Sequence, residues 1–296
     1  LKKWPTLQRL AQSNETELLA AWSGLGYYSR ARNLRRGAQY LVDEHDGEFP
    51  KDVTALRKTP GIGPYTAGAI LSIAFDLREP LVDGNVQRVF ARFYGEERPI
   101  ESSDAQKQFW DWAKAWVEKA HSPRILNQAL MELGATVCTK AKPRCTGCPL
   151  KKSCFAGFTD RALDFPRRRP RRKVQELYWL GIVFECGDKL LLRKNPAGGW
   201  WQDLWDFPTV ALDKKNDLKN ARSLLRKRYP QVKEWVALAP QKHTVTHHRI
   251  HLHPFVAKVS PRGFRKIPAS ERWWAIDKVE TAPTSSLVKK VMRAYY

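Results

Sequence analysis

The sequence predicts two domains: an all-α first half carrying a loop of cysteines, and an α+β second half. Three observations predict this. Apolar residues recur at helical spacing as far as Ala120. Four of the five cysteines then crowd between Cys138 and Cys154. After them a stretch rich in Pro and Arg gives way to short alternating runs with turn signals. A chain of 296 residues with 43% hydrophobic content more often divides into two cores than builds one.

Taken in order, Asn14 is placed to cap a helix through Leu18, Leu19 and Trp22 that ends at Gly24. A second helix starts near Ser29, turning Leu34, Tyr40 and Leu41 inward, with Arg30, Arg32, Arg35 and Arg36 making it densely basic. That basic face reads equally as a solvated surface or as a contact for phosphates. A helix is expected from Gly84 to Tyr94. Phe109, Trp112, Ala113 and Trp116 fall at i, i+3, i+4 and i+7, one buried stripe, so these tryptophans are expected in a core. Residues 165–173, FPRRRPRRK, combine two prolines with six cations and suit an extended, solvated connector. Beyond it, Leu177 to Phe184 and Lys189 to Lys194 read as strands joined at Gly187-Asp188. A basic helix near Asp217 to Tyr229, strand-like alternation from His243 to His253 and a helix near Ser286 to Ala294 complete the chain. The division expected is 1–160, a basic linker 161–175, and 176–296. No internal repeat is found.

The formal charge of +22 and pI near 10.0 attract polyanions, nucleic acid before an acidic membrane surface. No apolar run reaches the roughly eighteen residues that span a bilayer, and Leu1-Lys2-Lys3-Trp4 does not lead into a signal-peptide core. An intracellular, non-membrane protein is expected, cytoplasmic or nucleoid-associated if bacterial.

Two motifs carry chemistry. Thr59-Pro60-Gly61-Ile62-Gly63-Pro64 lies between helical patterns with Pro64 in a first turn. Gly61 and Gly63 let the backbone approach a phosphate, and the free N–H groups of the next helix supply donors, which is how a helix-hairpin-helix grips one DNA strand without reading its bases. Cys138, Cys145, Cys148 and Cys154 offer four thiolates in one short loop, enough for a tetrahedral zinc or a four-iron cluster, and the spacing does not choose. Lys140, Lys142, Arg144, Lys151 and Lys152 ride on that loop, so it is expected to meet phosphates rather than to do redox catalysis.

Leu25-Gly26-Tyr27-Tyr28-Ser29-Arg30, Pro60-Gly61-Ile62-Gly63, Val82-Asp83-Gly84-Asn85-Val86 and the cysteine spacing, in this order, resemble the adenine DNA glycosylases of the MutY family. The resemblance implies a helix-hairpin-helix glycosylase domain holding a [4Fe-4S] cluster on Cys138, Cys145, Cys148 and Cys154, with structural zinc as the alternative. It implies base excision repair, with adenine removed from duplex DNA where it is mispaired with 8-oxoguanine or guanine, by a monomer. Asp83 takes the catalytic carboxylate's position while also fitting a helix N-cap, and Asn85 that of the residue orienting it. A carboxylate beside C1′ stabilises the positive charge that builds on the sugar as the glycosidic bond breaks. Tyr65 stands where the related endonuclease III family has the lysine of a Schiff base; a phenol cannot do that step, so a monofunctional enzyme is implied. Tyr27 resembles the family's wedge residue, which enters the base stack, and Tyr28 is expected to be buried.

The second half resembles the family's Nudix-like domain, which recognises 8-oxoguanine. Gly199 to Pro208 matches its glycine-to-Phe-Pro stretch, and Val245-Thr246-His247 the lesion-reading triplet, more often Phe-Ser-His: Thr246 keeps the hydroxyl, while Val245 lacks the aromatic packing. Lys214 to Arg228 is full of Lys and Arg where a Nudix hydrolase has a glutamate-rich magnesium helix, so nucleotide hydrolysis is not expected. His247, Arg249, His251 and His253 alternate, and mixed with Arg that row suits phosphate better than a metal. The family's general-acid glutamate belongs to a segment N-terminal to Leu1, and Glu15 and Glu17 do not match its motif. The chain as written is thus expected to lack that acid and the domain's first helices. A mismatch-binding relative that does not cut is one alternative, and an endonuclease III-like glycosylase/lyase another.

Overall fold

The computed structural model describes residues 2–22, 25–170, 173–213, 215–264, 267–279 and 281–296, with backbone alone at 215, 216, 261 and 262. The helices of the first half are α1 (Leu7–Ala11), α2 (Glu15–Ala21), α3 (Ser29–His45), α4 (Val53–Leu56), α5 (Pro64–Ala69), which runs on into a wider π turn at Ile70–Ala74, α6 (Gly84–Tyr94), α7 (Ser103–Lys119), α8 (Pro123–Thr136) and α9 (Phe155–Phe158). Their starts follow from capping chemistry: Asn14 accepts from the N–H groups of Thr16 and Glu17, Ser102 from Ala105, and Ser122 from Ile125 with Pro123 in the first turn. The helix expected to reach Gly24 stops at Ala21, and Gly24 lies outside the described residues. In α3, Ala31, Ala38 and Leu41 are buried, yet Leu34 on the same stripe is exposed. Spacing aims a side chain, but only a packed neighbour buries it.

Contacts divide the chain into two compact units, Leu1–Gln12 with Asn33–Arg171, and Ser13–Arg32 with Arg172–Tyr296. The first is built on α6, α7 and α8 around Phe90, Phe109 and Leu130. Trp112 and Trp116 pack on Phe90, as the stripe requires, and Trp112 stacks on Tyr94 with centroids 4.1 Å apart. The connector expected over 161–175 begins later than the sequence suggested. Phe165 is a core residue, the N–H of Ile100 donates to the carbonyl of Arg167, and Arg161 and Arg167 both pair with Glu97. Burying one aromatic ring, together with ion pairs for its cationic neighbours, holds this stretch against the first unit.

The segment Ser13–Arg32, which the sequence assigned to residues 1–160, packs with the second unit. The Tyr28 hydroxyl donates to the carbonyl of Thr284, and the Arg32 guanidinium donates to the carbonyl of Gln202 and lies 3.5 Å from the carboxylate of Asp203.

The remaining elements are β1 (Gln175–Cys186), β2 (Lys189–Lys194), β3 (Trp205–Asp206), β4 (Thr209–Leu212), α10 (Ala221–Arg228), β5 (Val236–Ala237), β6 (Gln241–Val245), β7 (His248–Lys258), β8 (Glu271–Ala275), α11 (Ile276–Val279) and α12 (Ser286–Tyr295). β1 and β7 run parallel from Gln175 opposite His248 to Glu185 opposite Lys258. On its other edge β1 pairs antiparallel with β4 and then, through the turn at Gly187-Asp188, with β2. β3 and β8 extend the sheet from β2, and β5 and β6 lie on β7. Both faces are covered: α12 packs Leu287, Val288 and Val291 on Val183, Leu190 and Val256, and α10 packs Ala221 and Leu225 on Ile182, Phe184 and Leu191. That double cover explains why β1 is apolar without a break from Leu180 to Phe184.

Two expectations are corrected here. The basic helix expected from Asp217 to Tyr229 is a 3-10 turn over Lys215–Asn220 followed by the shorter α10. The alternation expected from His243 to His253 is two strands folded into a hairpin at Thr246-His247, because period-2 patterning survives a tight turn and does not mark it.

Candidate functional site

Asp83 is the N-cap of α6. One carboxylate oxygen, Oδ1, accepts from the backbone N–H groups of Asn85 (2.9 Å) and Val86 (2.7 Å), and Oδ2 accepts from Asn85 Nδ2 (3.0 Å). Three donors and the positive end of the helix hold this half-buried carboxylate in one orientation. Asn85 is held in turn: its Oδ1 accepts from Arg88, whose guanidinium also donates to the carbonyls of Gly134 and Cys138. The close packing of α8 on α6 depends on Gly134, where an added Cβ would fall 2.6 Å from the Cβ of Asn85. Arg88 was missed by the sequence reading. Its signal was a cation at i+3 from Asn85 on a helix that otherwise buries its face.

Gly61 has φ 86°, which an L side chain strains to adopt, and an added Cβ would meet Asn33 at 2.7 Å. Gly63 caps α5 with open space before it. Tyr65, in the first turn of α5, is exposed and its hydroxyl donates to the sulfur of Met131 at 3.7 Å.

The four cysteines come together as the walls of one cavity of about 30 Å3, with Val89, Arg92 and Leu150 among its other walls. None of the four is in a disulfide among the described residues. Burial, and then the neighbouring Cys138 thiol, pushes the Cys145 thiol up, and burial pushes up Cys154. The fully buried Arg92 of α6 answers this with a guanidinium 3.2 Å from the sulfur of Cys138 and further bonds to the carbonyls of Thr139, Lys140 and Phe165. Among the described residues no three His, Cys, Asp or Glu side chains form a group that could hold a metal ion. All four cysteines are nevertheless lining residues of the one cavity. Four soft donors round one cavity, with a cation to offset their charge, fit a thiolate-bound centre.

In the second unit, Tyr27, Thr246 and Val245 line one cavity of about 480 Å3, with Arg32, Trp201, Gln202 and His243. Tyr27 is 76% exposed whereas Tyr28 is 8% exposed, which separates a presented ring from a structural one. Thr246 opens the β6–β7 turn with its hydroxyl 3.4 Å from His247 Nδ1, and the rings of His247 and His248 lie 4.0 Å apart. Burial holds His243 below the usual histidine range, with Lys290 adding to it, so it faces the cavity as a neutral ring. Trp201, Gln202 and Arg32 were missed as site residues, since only the tertiary fold brings them to Tyr27. The row expected to meet phosphate is partly committed elsewhere: Arg249 and His251 both bond to Glu176, at 2.7 and 2.6 Å, and His247 lies in the turn, not on the strand. No helix among the described residues is long and apolar enough to cross a membrane.

Residues 1–115 match the model of the HhH-GPD superfamily of base excision DNA repair proteins, and residues 179–294 that of the NUDIX domain. The chain is 32% identical over 351 residues to the adenine DNA glycosylase of Homo sapiens, covering all of this chain and 63% of that protein. It is 34% identical over 353 residues to that of Rattus norvegicus, covering all of this chain and 66% of the other. With the adenine DNA glycosylase of Buchnera aphidicola subsp. Acyrthosiphon pisum it is 30% identical over 257 residues, 86% of this chain and 71% of that protein. The chain thus spans about two thirds of the length of the mammalian relatives. Two domain matches in this order, with identity carried across both, place the chain in the MutY-type adenine DNA glycosylase family of base excision repair proteins, a helix-hairpin-helix domain followed by a Nudix-like one.

Proposed function

We propose that the protein hydrolyses the N-glycosidic bond of adenine mispaired with 8-oxoguanine or guanine in duplex DNA, acting as a monomer and without cutting the backbone. The observation that carries this reading is the Asp83 carboxylate, fixed by three N–H donors at the head of α6 yet still half-buried rather than sealed. A carboxylate so held faces a flipped nucleotide without having to reorganise, and it stabilises the sugar cation until water adds at C1′. Asn85 keeps it aimed, and Arg88 keeps Asn85 aimed. Tyr65 supports hydrolysis over lyase chemistry, because its phenol cannot form the Schiff base that an amine would.

Gly61 and Gly63 present backbone to a DNA phosphate, Tyr27 enters the stack, and the turn Thr246-His247 reads the base opposite adenine. Its hydroxyl is the group suited to telling 8-oxoguanine from guanine. Cys138, Cys145, Cys148 and Cys154 would hold a [4Fe-4S] cluster, which when bound ties the loop bearing Lys140, Lys142 and Arg144 into one shape. Four cysteines lining one cavity supply the four thiolates that such a cluster takes, with structural zinc, which also takes four, as the alternative.

The test is adenine release from a duplex carrying one 8-oxoguanine:adenine pair, with Asp83→Asn as control. Release by the wild type and not by the variant supports the reading. Tight mismatch binding with no release by either would make the protein a non-cutting relative, and strand cleavage at the abasic site would return the lyase alternative.

A further inference from the structure

The cavity of Tyr27 and Thr246 is walled by separate stretches of chain: the segment from Gly26 to Arg32, the loop from Gly199 to Gln202, β6 with the turn after it, and Ser286 at the head of α12. Two contacts tie the first wall to the others, one on each side of the cavity. The Tyr28 hydroxyl donates to the carbonyl of Thr284, two residues before Ser286. Arg32 reaches the loop instead. Its Nε donates to Glu15 of α2 at 3.2 Å, and its Nη2 donates to the carbonyl of Gln202 and lies 3.5 Å from Asp203 Oδ2. With side chains 11% and 27% exposed, Arg32 and Asp203 are partly withdrawn from water, where an ion pair counts for more than it does on an open surface.

Asp203 holds its place at a cost. Its φ of 63° lies in the left-handed region, which glycine enters freely and aspartate does not. Trp201, two residues earlier, is left-handed as well, with φ 52°. What the chain gains at Asp203 is a carboxylate held from several sides. Gln202 Nε2 donates to it at 3.0 Å, Lys194 Nζ lies 3.3 Å away, and Arg32 approaches from the Tyr27 segment. Burial opposes the charge, yet the hydrogen bonds of Gln202 and Lys194 and the charges of Lys194 and Arg32 hold the carboxyl below the usual range. Backbone strain kept up by its surroundings gathers where a side chain is needed.

The same loop continues to the lesion-reading side. The Asp203 N–H donates to the carbonyl of Asn195 at 3.1 Å, and the Trp201 ring lies 5.5 Å from that of His243 on β6, three residues before Thr246. A continuous line of contacts therefore runs from the segment of Tyr27 through Arg32, Asp203 and Trp201 to the strand that carries Thr246.

We propose that Arg32 and Asp203 are positioning residues for lesion recognition: their ion pair fixes the span between the wall of Tyr27 and the wall of Trp201, so that the phenol and the Thr246 hydroxyl close together on the base opposite adenine. This rests on the reading of Tyr27 and Thr246 given above and adds the pair that sets the distance between them. Asp203 acts through Arg32, and Arg32 through the span it holds.

The test titrates the full chain against duplexes with 8-oxoguanine or guanine opposite a reduced abasic site, which cannot be excised, and reads the ratio of the two affinities beside the melting temperature. Asp203→Gly frees the strained backbone as it removes the carboxylate. Its melting temperature is expected to hold or rise while the preference for 8-oxoguanine narrows at least about fivefold, within the range by which residues of one network couple. A residue that merely supported the fold would lower the melting temperature and weaken both duplexes alike. Arg32→Met is expected to narrow the preference at least as far, and the double variant no further than Arg32→Met alone. Should Arg32→Met fail to fold, Arg32→Lys takes its place, since it keeps the charge but not the fork that spans Glu15, Gln202 and Asp203. An unchanged preference in Asp203→Gly, effects that add in the double variant, or equal losses on both duplexes in step with the melting temperature would overturn the proposal. Absence of any preference in the wild type, or an unchanged preference in Thr246→Ala, would instead remove the lesion-reading cavity itself, and the pair's role with it.

Discussion

Tyr27 and Thr246 line the same cavity, and both hold left-handed backbone, with φ of 46° and 54°. Neither is glycine, and a β-branched residue such as threonine resists that conformation most. Strain of this kind persists where surrounding structure enforces it, and it gathers at sites that present a side chain for use. Here it lifts a phenol ring and a hydroxyl toward one space.

Thr246→Gly is expected to relieve this strain and raise stability by about 1 kcal/mol, whereas Thr246→Ala keeps it. Both remove the hydroxyl, so both should narrow the preference for 8-oxoguanine over guanine. Thermal unfolding and binding to paired duplexes measure the two effects separately. Unchanged preference in both variants would take lesion reading away from this turn.

Asp83→Asn should lower adenine release by at least about a hundredfold while leaving mismatch binding in place. Asparagine caps a helix as well as aspartate does, so the melting temperature should hardly move. Single-turnover excision beside a gel-shift titration checks this, and a variant that still excises would remove Asp83 from the chemistry.

Gly134→Ala sets a methyl against Asn85 and should cost about 1–3 kcal/mol in stability through overpacking. Because Asn85 aims Asp83, excision should slow by more than DNA binding weakens. Parallel losses in both would instead show general damage to the fold.

Burial, only partly offset by hydrogen bonds from Ser285 and Asn195, pushes the Asp206 carboxyl from an ordinary 3.8 to about 6. The folded state thus holds this proton more tightly than the unfolded one. The contribution to stability is whole below the unfolded value and is lost as pH rises through the folded one. Asp206→Asn has no such proton. Wild-type stability relative to the variant should therefore fall by about 2–3 kcal/mol between about pH 4 and pH 7. Urea unfolding followed by tryptophan fluorescence at several pH values reads this, and a difference independent of pH would contradict it.

DNA binding should weaken steeply with added salt, the logarithmic slope being close to −0.9 for each phosphate neutralised. A flat response would argue against phosphate contact by the basic loop and the glycine turn.

Much of this molecule was legible before any coordinates. The caps at Asn14 and Asp83, the Phe109 to Trp116 stripe, the hairpin at Gly187-Asp188 and the boundary of α6 all follow from local chemistry, and local chemistry is what a sequence displays. The four cysteines could be grouped from spacing alone because a short loop cannot carry its ligands far apart. Arg88, Arg92 and Trp201 were not legible, since each acts through a partner distant in sequence: Arg88 on the carbonyl of Cys138, Arg92 on its sulfur, and Trp201 on His243.

The sequence by itself determined which groups are available: a carboxylate at a helix head, four thiols in one loop, a phenol in the first turn after the glycine pair, and an excess of cations. Only the tertiary structure decided that Ser13–Arg32 joins the Nudix-like unit and that Tyr27 and Thr246 share a cavity. It alone brought the side-chain amide of Asn195 to donate to the carboxylate of Asp206 and the carbonyl of Trp201. The physical reason is that caps, turns and short ligand loops are fixed by residues a few places apart. A cavity wall is fixed by packing and hydrogen bonds between segments whose meeting no local pattern records.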